Sequence, residues 1–562
     1  MNTSLPSASR LLKLTLIALF TVTSLAGTLY GAYRGYTQWR QARLLNQTRD
    51  HLARADLRQA VLTIRQAVQN DPSHVPTCRL MADVAERAGS SVAVFYRQRL
   101  VELQPEVTTN RVMLAKTALA FGDSRVAEKA LADIPESARQ TFEFHWMSAL
   151  LCIPTHREPQ AETHLLAAMQ LAPTNVVAPL KLAALRLKAN DTNRQEQARS
   201  LLLTLRANPA AKSDALRMLT EDAARHGRGT VALAHSAELF KSSEEFRDSL
   251  LRLQVLRQFQ RDDFSALLFQ LKARAHENPM QAFELTQWLR AAGQVDDAAA
   301  WLKQVPENVR RQLPLAPVAA GALERAADWK GLENFLRDQN WARREPARLA
   351  FLTRALRAQD NERAAVVEWR KALKAADKDL AGLQELLEMT TAWNWETETQ
   401  EALWQVVNNW PKEKGAFLAL STRLTKTGNT AGLRTLFSRV NQSEPDNLAV
   451  KNNLVMTSLL LDGRDKASHQ KALELYVSDP ANPVFVSTYG FSLYLQKKSN
   501  EALAAFAKLT AEQLLEPNVA AYYGLVLVAN GRAAEAGKFL QAARQAKLLP
   551  EETALLARAN GV

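Results

Sequence analysis

The residues best placed for chemistry form a glycine-containing stretch near the C-terminus, from Gly531 to Phe539. A phosphate-binding loop has four residues between its glycines and a Ser or Thr after its lysine, to help hold magnesium. This stretch has five residues between Gly531 and Gly537, and Phe539 follows Lys538. Gly531 also suits the Asn-Gly-Arg turn that joins two helical segments. We therefore expect no nucleotide site here.

Other titratable residues lack the spacing of a catalytic or metal site. The chain has no H-E-x-x-H motif and no G-x-S-x-G motif. His156 and His164 lie eight residues apart, without a carboxylate that would complete a ligand set. The acidic pairs Asp262-Asp263 and Asp296-Asp297 suit first helical turns, where the helix dipole favours negative charge. The sequence predicts no enzyme activity, no metal and no cofactor.

Composition indicates that the elements positioning any site are helices. The chain has 562 residues, several times a usual domain, so it is multidomain or a repeat array. Hydrophobic residues make up 47%, while Gly (20) and Pro (21) are too scarce for a turn-rich β fold. The two cysteines, Cys78 and Cys152, lie in apolar helical stretches and suit buried positions. We expect an all-α protein.

The distribution of the excess positive charge indicates what kind of partner the chain could bind. The formal net charge is +13, and the excess is largest in the first 200 residues, beside an apolar segment. A nucleic-acid-binding protein usually concentrates its positive charge in a stripe. The observed distribution suits a membrane-proximal surface. We expect no nucleic-acid partner.

An uncharged apolar segment runs from Leu14 to Tyr33. As a helix it would span about 30 Å, the hydrocarbon thickness of a bilayer. Interfacial aromatics such as Tyr36 and Trp39 follow it. These features predict a single transmembrane helix, with a signal peptide cleaved before Gly27 as the alternative. Flanking charges nearly balance, and because short N-terminal tails usually stay inside, we expect the remaining chain on the extracytoplasmic side.

Prolines mark a regular period along the rest of the chain. Proline commonly follows a helix C-terminus because it cannot continue the helix. The interval from the first to the last of these prolines divides into fourteen steps of about 34 residues. The prolines that close amphipathic segments are Pro72, Pro105, Pro135, Pro173, Pro209, Pro279, Pro306, Pro346, Pro411, Pro445, Pro480, Pro517 and Pro550.

Each period also carries an internal pattern of small and large apolar residues. The spacing of four and then three keeps these residues on one helix face. Examples are Ala60-Ile64-Ala67, Ala161-Leu165-Ala168 and Leu433-Phe437-Val440. The last two periods add a Tyr-Gly-x-x-Leu motif, at 489–493 and 523–527. Each motif is followed by a second apolar set, at Ala502, Phe506 and Leu509 and then at Ala536, Leu540 and Ala543.

These motifs resemble the tetratricopeptide repeat, a 34-residue helix–turn–helix unit. The resemblance is strong over 449–550, good over 41–74 and 142–209, and reduced to helical periodicity over 210–410. It implies an all-α, right-handed superhelical solenoid of about fourteen or fifteen hairpins. A last helix, near 551–560, would cap the array with polar residues such as Glu551, Glu552 and Arg558.

The predicted organisation has five parts along the chain. A tail (1–13) and a transmembrane helix (14–33) are followed by an N-terminal array (41–209). Degenerate, Trp-rich helical repeats (210–410) come next, and the chain ends with a consensus-like array and its capping helix (411–562).

The resemblance also implies a binding surface on the first helix of each hairpin. The expected function is a membrane-anchored, non-enzymatic scaffold that binds a partner protein or peptide, in envelope assembly for example. Residues spaced by four and three on the C-terminal first helices would face the partner, and packing within the hairpin is the alternative role of Phe491 and Tyr494. The candidates are Asn453, Thr457, Ser487, Phe491, Tyr494 and Asn518.

Tryptophans suggest an alternative function. Nine of the eleven lie between Trp288 and Trp410. Large rings can fill gaps between degenerate helices, or they can line a surface for a peptide or a sugar chain. Trp393 and Trp395 are the best candidates for such a surface. They flank the single residue Asn394, and residues this close together on a helix or turn cannot all face one core. The alternative is therefore a glycan-binding module that assists polysaccharide export or assembly.

Overall fold

The computed structural model describes residues 34–260 and 262–560. Every regular element within these residues is a helix, which confirms the all-α prediction. The helix contacts divide the chain into two compact units, one ending at Gln270 and the other beginning at Leu271. The boundary lies inside one helix, α14 (Asp262–Ala275).

Most helices of the first unit are three to four turns long, which suits a short-helix repeat. A 3-10 turn at Glu136–Ala138 interrupts the series. The helices are α1 (34–53), α2 (Leu57–Asn70), α3 (Val75–Arg87), α4 (Val92–Leu103), α5 (Thr108–Ala120), α6 (Ser124–Ala132), α7 (Phe142–Cys152), α8 (Glu158–Leu171), α9 (Val177–Leu187), α10 (Thr192–Leu205), α11 (Lys212–Arg225), α12 (Gly229–Ser242) and α13 (Phe246–Phe259).

The second unit continues with helices of similar length and a few shorter ones. A 3-10 turn lies at Ala342–Arg344. The helices are α15 (Pro279–Ala291), α16 (Val295–Gln304), α17 (Glu307–Arg310), α18 (Ala316–Arg325), α19 (Trp329–Leu336), α20 (Glu345–Arg357), α21 (Glu362–Ala375), α22 (Leu380–Ala392), α23 (Glu396–Asn409), α24 (Lys414–Lys426), α25 (Thr430–Ser443), α26 (Leu448–Leu461), α27 (Lys466–Ser478), α28 (Pro483–Leu495), α29 (Ser499–Phe506), α30 (Ala511–Leu515), α31 (Pro517–Ala529), α32 (Ala533–Ala543) and α33 (Pro550–Asn560).

Consecutive helices pair into antiparallel hairpins, as the repeat predicts. In the first unit the pairs run from α1/α2 to α11/α12. In the second unit they are α15/α16, α18/α19, α20/α21, α22/α23, α24/α25, α26/α27, α28/α29 and α31/α32. First helices also contact the first helices of the next hairpin, as α20 contacts α22 and α28 contacts α31. The tetratricopeptide-like arrangement is therefore confirmed within each unit, and the right-handed superhelix stays a prediction.

The hairpin turns explain the period in backbone terms. Most of these turns place one residue in the left-handed region, which ends the first helix and reverses the chain. In the second unit this residue recurs every 33 or 34 positions, at Gly293, Ala327, Asp360, Asn394 and Gly428, with φ between 53° and 77°. A left-handed residue thus marks these five successive turns. The predicted turn at Gly531 has the same conformation.

Packing within the hairpins follows the predicted alternation of small and large residues. Ala60, Ile64 and Ala67 are fully buried, where α2 packs against its neighbours. The equivalent residues Ala161, Leu165 and Ala168 are also fully buried. Small residues let the helices approach closely, and the larger side chain fills the space between them. Cys78 and Cys152 are buried as free thiols, as expected.

The membrane prediction requires a correction. No helix within 34–260 and 262–560 is long and apolar enough to cross a bilayer. The segment 14–33, to which the span was assigned, and the tail 1–13 lie outside the described residues. The prediction of a single-pass membrane protein with an extracytoplasmic domain is therefore wrong on this finding.

Candidate functional site

The acidic pairs and histidines considered as possible catalytic or metal-binding groups lie in first helical turns, in a hairpin turn and in a partly buried contact. The acidic pairs at 262–263 and 296–297 lie in the first turns of α14 and α16, as predicted. His156 occupies a hairpin turn with φ of 56°. His164 lies with its Nδ1 atom 3.0 Å from Nδ1 of His145, a neighbour that sequence spacing did not reveal. Burial lowers the pKa of both imidazoles, so this pair is neutral near pH 7.

The six candidates on the C-terminal first helices separate by exposure. Phe491 is 1% exposed, and its ring centroid lies 4.9 Å from that of Tyr522. Tyr494 is half-buried. Burial therefore favours a packing role for Phe491, whereas two candidates remain open to solvent. Thr457, Ser487 and Phe491 are buried, and Asn453 and Asn518 are exposed.

The last helix, α33, explains part of this burial. It packs against α26 and α31, both first helices, so it lies on the first-helix side of the second unit. The Thr430 hydroxyl donates to Glu551, and the Tyr522 hydroxyl donates to Glu552. The helix itself was predicted. The polar outward role expected of these two glutamates differs from the observed one, because both accept hydrogen bonds from the array.

Apolar contacts hold α33 at both ends. Leu549, just before the helix, belongs to the buried cluster that runs from α20 to α26. Leu556 belongs to the cluster that contains Phe491. A Cβ atom added to Gly428 would lie only 2.7 Å from Cγ of Pro550, so the proline ring sits against this turn. The helix is therefore fixed by shape as well as by hydrogen bonds.

The Glu552 carboxyl group and the Tyr522 phenol both have shifted pKa values at this contact. Burial raises the pKa of Glu552, and hydrogen bonds from Tyr522 and from the Leu549 N–H, the latter at 2.6 Å, offset part of the increase. Burial and the adjacent carboxylate raise the pKa of the Tyr522 phenol well above its usual value. The hydroxyl therefore keeps its proton and acts as the donor.

An open cavity lies between the first helices α22 and α24, and the second helix α23 supplies part of its wall. Its volume is about 430 Å³. Its apolar wall includes Leu380, Leu387, Leu403 and Val406. Polar lining residues are Gln384, Thr391, Thr399, Glu413 and Arg423. None of these residues was singled out from the sequence. The helices α22 and α23 belong to the degenerate region, and the candidates in the C-terminal array were taken from α26, α28 and α31 alone.

The charges around the cavity exclude an anion clamp. Arg423 supplies a cation to its lining, and this guanidinium is paired with Glu396. Clamps for phosphate or carboxylate need clustered Lys or Arg side chains. The cavity instead combines an apolar wall with hydroxyl and amide groups, which suits apolar side chains and peptide backbone.

Trp393 lies on the turn edge of the second unit. Its indole N–H donates to Oε1 of Glu324 at 2.8 Å. The Arg354 guanidinium lies 4.7 Å from its ring centroid and pairs with Glu324 at 3.0 Å. Because Glu324 and Arg354 belong to α18 and α20, Trp393 joins three successive hairpins.

Trp395 belongs to the same edge. Its ring lies 4.8 Å from that of Trp393, and the Arg357 guanidinium lies 4.2 Å from its centroid. Arg357 also pairs with Glu362 at 2.9 Å and Glu398 at 2.7 Å. A polar cavity of about 490 Å³ adjoins these groups. The aromatic surface is thus already in contact with cations of the chain itself.

Comparisons with known proteins give structural neighbours alone. No protein-family model matches the chain. No curated protein matches it either. Similar solved structures include a tetratricopeptide repeat protein from Parabacteroides merdae, with 15% identity, TM-score 0.35, and coverage of 44% of this chain and 99% of that one.

Two further solved structures have similarly low sequence identity and TM-score. Pseudomonas aeruginosa pilF shows 13% identity and a TM-score of 0.26, covering 44% of this chain and 96% of its own. A structure of Naa15/Naa10 bound to HypK-THB shows 13% identity and a TM-score of 0.28, covering 93% of this chain and 96% of the matched chain.

Proposed function

We propose that this array of tetratricopeptide-like hairpins is a non-enzymatic scaffold that binds a partner protein. The binding site is the cavity between α22 and α24, and the ligand is an extended peptide segment with apolar side chains. The observation that carries the proposal is the open, apolar-walled cavity between the first helices α22 and α24, closed on one side by α23. The sequence resemblance implies a binding surface on first helices.

The chemistry of the lining determines what the peptide carries. Leu380 and Leu387, which are half-buried, offer apolar contact to one or two inserted side chains. Gln384 and Thr391 are exposed, so their amide and hydroxyl groups can pair with a peptide backbone. The charged lining residues are one acid, Glu413, and one base, Arg423, so the peptide needs no large net charge.

A glycan ligand is less well supported. The glycan alternative depended on free aromatic faces at Trp393 and Trp395. Both rings are engaged by Arg354 and Arg357, which are themselves paired with glutamates. A sugar would have to displace these cation–π contacts before it could stack.

A random peptide display library panned on the purified full-length chain tests the proposal. Affinities of selected peptides are then measured for two variants of α24, Ala419→Trp and Leu418→Trp. Ala419 lines the cavity, whereas Leu418 is exposed, 62%, and does not line it. We expect Ala419→Trp to weaken binding at least about tenfold, or ~1.4 kcal/mol, and Leu418→Trp to change it little. Equal effects of the two variants, or none, would contradict the proposed site.

A further inference from the structure

The C-terminal helix α33 behaves as a ligand that the chain carries itself. Residues 544–549 connect it to α32, and this short connection returns the chain to the first-helix side. The neighbouring residues Glu551 and Glu552 then bond to groups from hairpins that are far apart in sequence, at Thr430 and Tyr522. One helical turn of α33 therefore accepts hydrogen bonds from both α25 and α31.

The surface beneath α33 is built for a helix of this kind. Thr430 is 2% exposed and Tyr522 is 5% exposed, so both hydroxyls are removed from water when α33 is in place. A buried hydroxyl without a partner costs about 1–3 kcal/mol. The acidic first turn of α33 satisfies both groups, and Leu556 fills the apolar part of the surface one turn later.

We infer that this surface is a binding site for an amphipathic helical segment of a partner protein, and that α33 is its intramolecular competitor. The segment carries the chemistry of α33: a proline at its start, an acidic residue in its first turn and leucines about one turn further on. This site differs from the cavity between α22 and α24, and the inference stands whether or not that cavity binds a peptide.

The donors explain the selectivity. The surface meets Glu551 and Glu552 with hydroxyl groups rather than with lysine or arginine. Hydroxyl groups donate hydrogen bonds to a carboxylate but lack the long-range attraction of a cation, so shape and apolar contact decide binding. A basic first turn would supply no acceptor to these hydroxyls and would place its positive charge at the positive end of the helix dipole, so it would bind more weakly.

The tether makes α33 a strong competitor despite its small size. A short connection gives a tethered ligand an effective concentration in the millimolar range. A partner segment then binds only the fraction of molecules in which α33 has left, and its apparent affinity falls by that fraction. An isolated helix of eleven residues is marginal in water, so a displaced α33 is expected to unfold.

The test uses the full-length chain and a fluorescein-labelled peptide with the sequence of residues 547–560. Leu556→Glu places a charge in the apolar contact of α33 and leaves the surface itself unchanged. Arg558→Gln is the matched control, because Arg558 is an exposed residue of the same helix. By fluorescence anisotropy, we expect the peptide to bind the Leu556→Glu chain at least about tenfold more tightly than the wild-type or Arg558→Gln chains.

Hydrogen exchange on the same samples makes the result decisive. Rapid exchange in α33, with α24–α32 still protected and no gain in peptide binding, would overturn the inference. Continued protection of α33 in the Leu556→Glu chain would overturn it too, since the contact would not depend on this leucine. If the substitution also exposes α24–α32, the milder Glu551→Ala/Glu552→Ala chain takes its place, with the same expected gain and the same contradicting results.

Discussion

Replacement of Gly490 by alanine tests the close helix approach behind the Tyr-Gly motif. Gly490 lies in α28, and a Cβ atom built there would be 2.2 Å from Cε2 of Phe506 in the facing helix α29. Phe506 is fully buried, so its ring has little space to move. The added methyl group must therefore separate the two helices or force the ring out of its rotamer.

The magnitude follows from two opposing effects. Alanine is favoured over glycine in a helix interior by about 1 kcal/mol. Overpacking of a well-filled core costs about 1–3 kcal/mol. Gly537, in α32, is exposed and has no atom within 4 Å of a built Cβ, so Gly537→Ala keeps the helix gain alone. The difference between the two variants is therefore the packing cost, about 1–3 kcal/mol.

Hydrogen exchange measured by mass spectrometry provides the local free energies. We expect Gly490→Ala to lower protection of α28 and α29, and Gly537→Ala to raise protection of α32. Adding Phe506→Leu to Gly490→Ala should recover part of the lost protection, because the smaller side chain yields space. Increased protection of α28 in Gly490→Ala would refute the close approach.

Three further predictions concern buried groups. Burial alone would raise the pKa of Asp248, but hydrogen bonds from Arg217 and Ser243 bring it below its usual value. Asp248→Asn should therefore cost about 2–4 kcal/mol of local stability at pH 7. In the wild-type chain, the stability that this ion pair contributes should be lost as the pH falls below about 4, through the lowered pKa. Hydrogen exchange of α11–α13 measures both effects. Phe491→Ala should cost about 3–5 kcal/mol in thermal unfolding with unchanged peptide affinity of the folded fraction; a selective affinity loss would make it a contact residue. Because the Glu552 carboxyl, which faces Tyr522 and Glu551, has a raised pKa, α33 should gain protection, corrected for intrinsic exchange, as pH falls toward about 4.3; a loss would contradict its burial.

The period, the helices and the hairpin packing could be predicted from local signals. Proline positions and the Ala-x-x-x-Ile pattern depend on short-range rules of helix ends and helix faces, and Ile64 is buried as those rules require. The binding surface depended on a longer inference. Spacing along one helix places Phe491 on a face but does not reveal which helices cover that face.

The packing of α33 against distant hairpins shows why other contacts could not be predicted from the sequence. The contact between Thr430 and Glu551 joins residues 121 positions apart, and no repeat rule specifies it. The apolar residues Leu548 and Leu549 before the helix were the available signal, since a solvated connection has little need of them. Likewise, the Trp393 contact with Glu324 spans 69 positions and follows from the stacking of three hairpins.

Hydrogen exchange of the full-length chain, with and without a display-selected peptide at saturating concentration, tests the central claim most directly. The claim is that the first-helix side of the second unit binds a partner peptide. We predict slower exchange in α22 and α24, which line the open cavity, and unchanged exchange in the second helices α21 and α25. Slower exchange confined to α21 and α25, or no change in α22 and α24, would contradict the account.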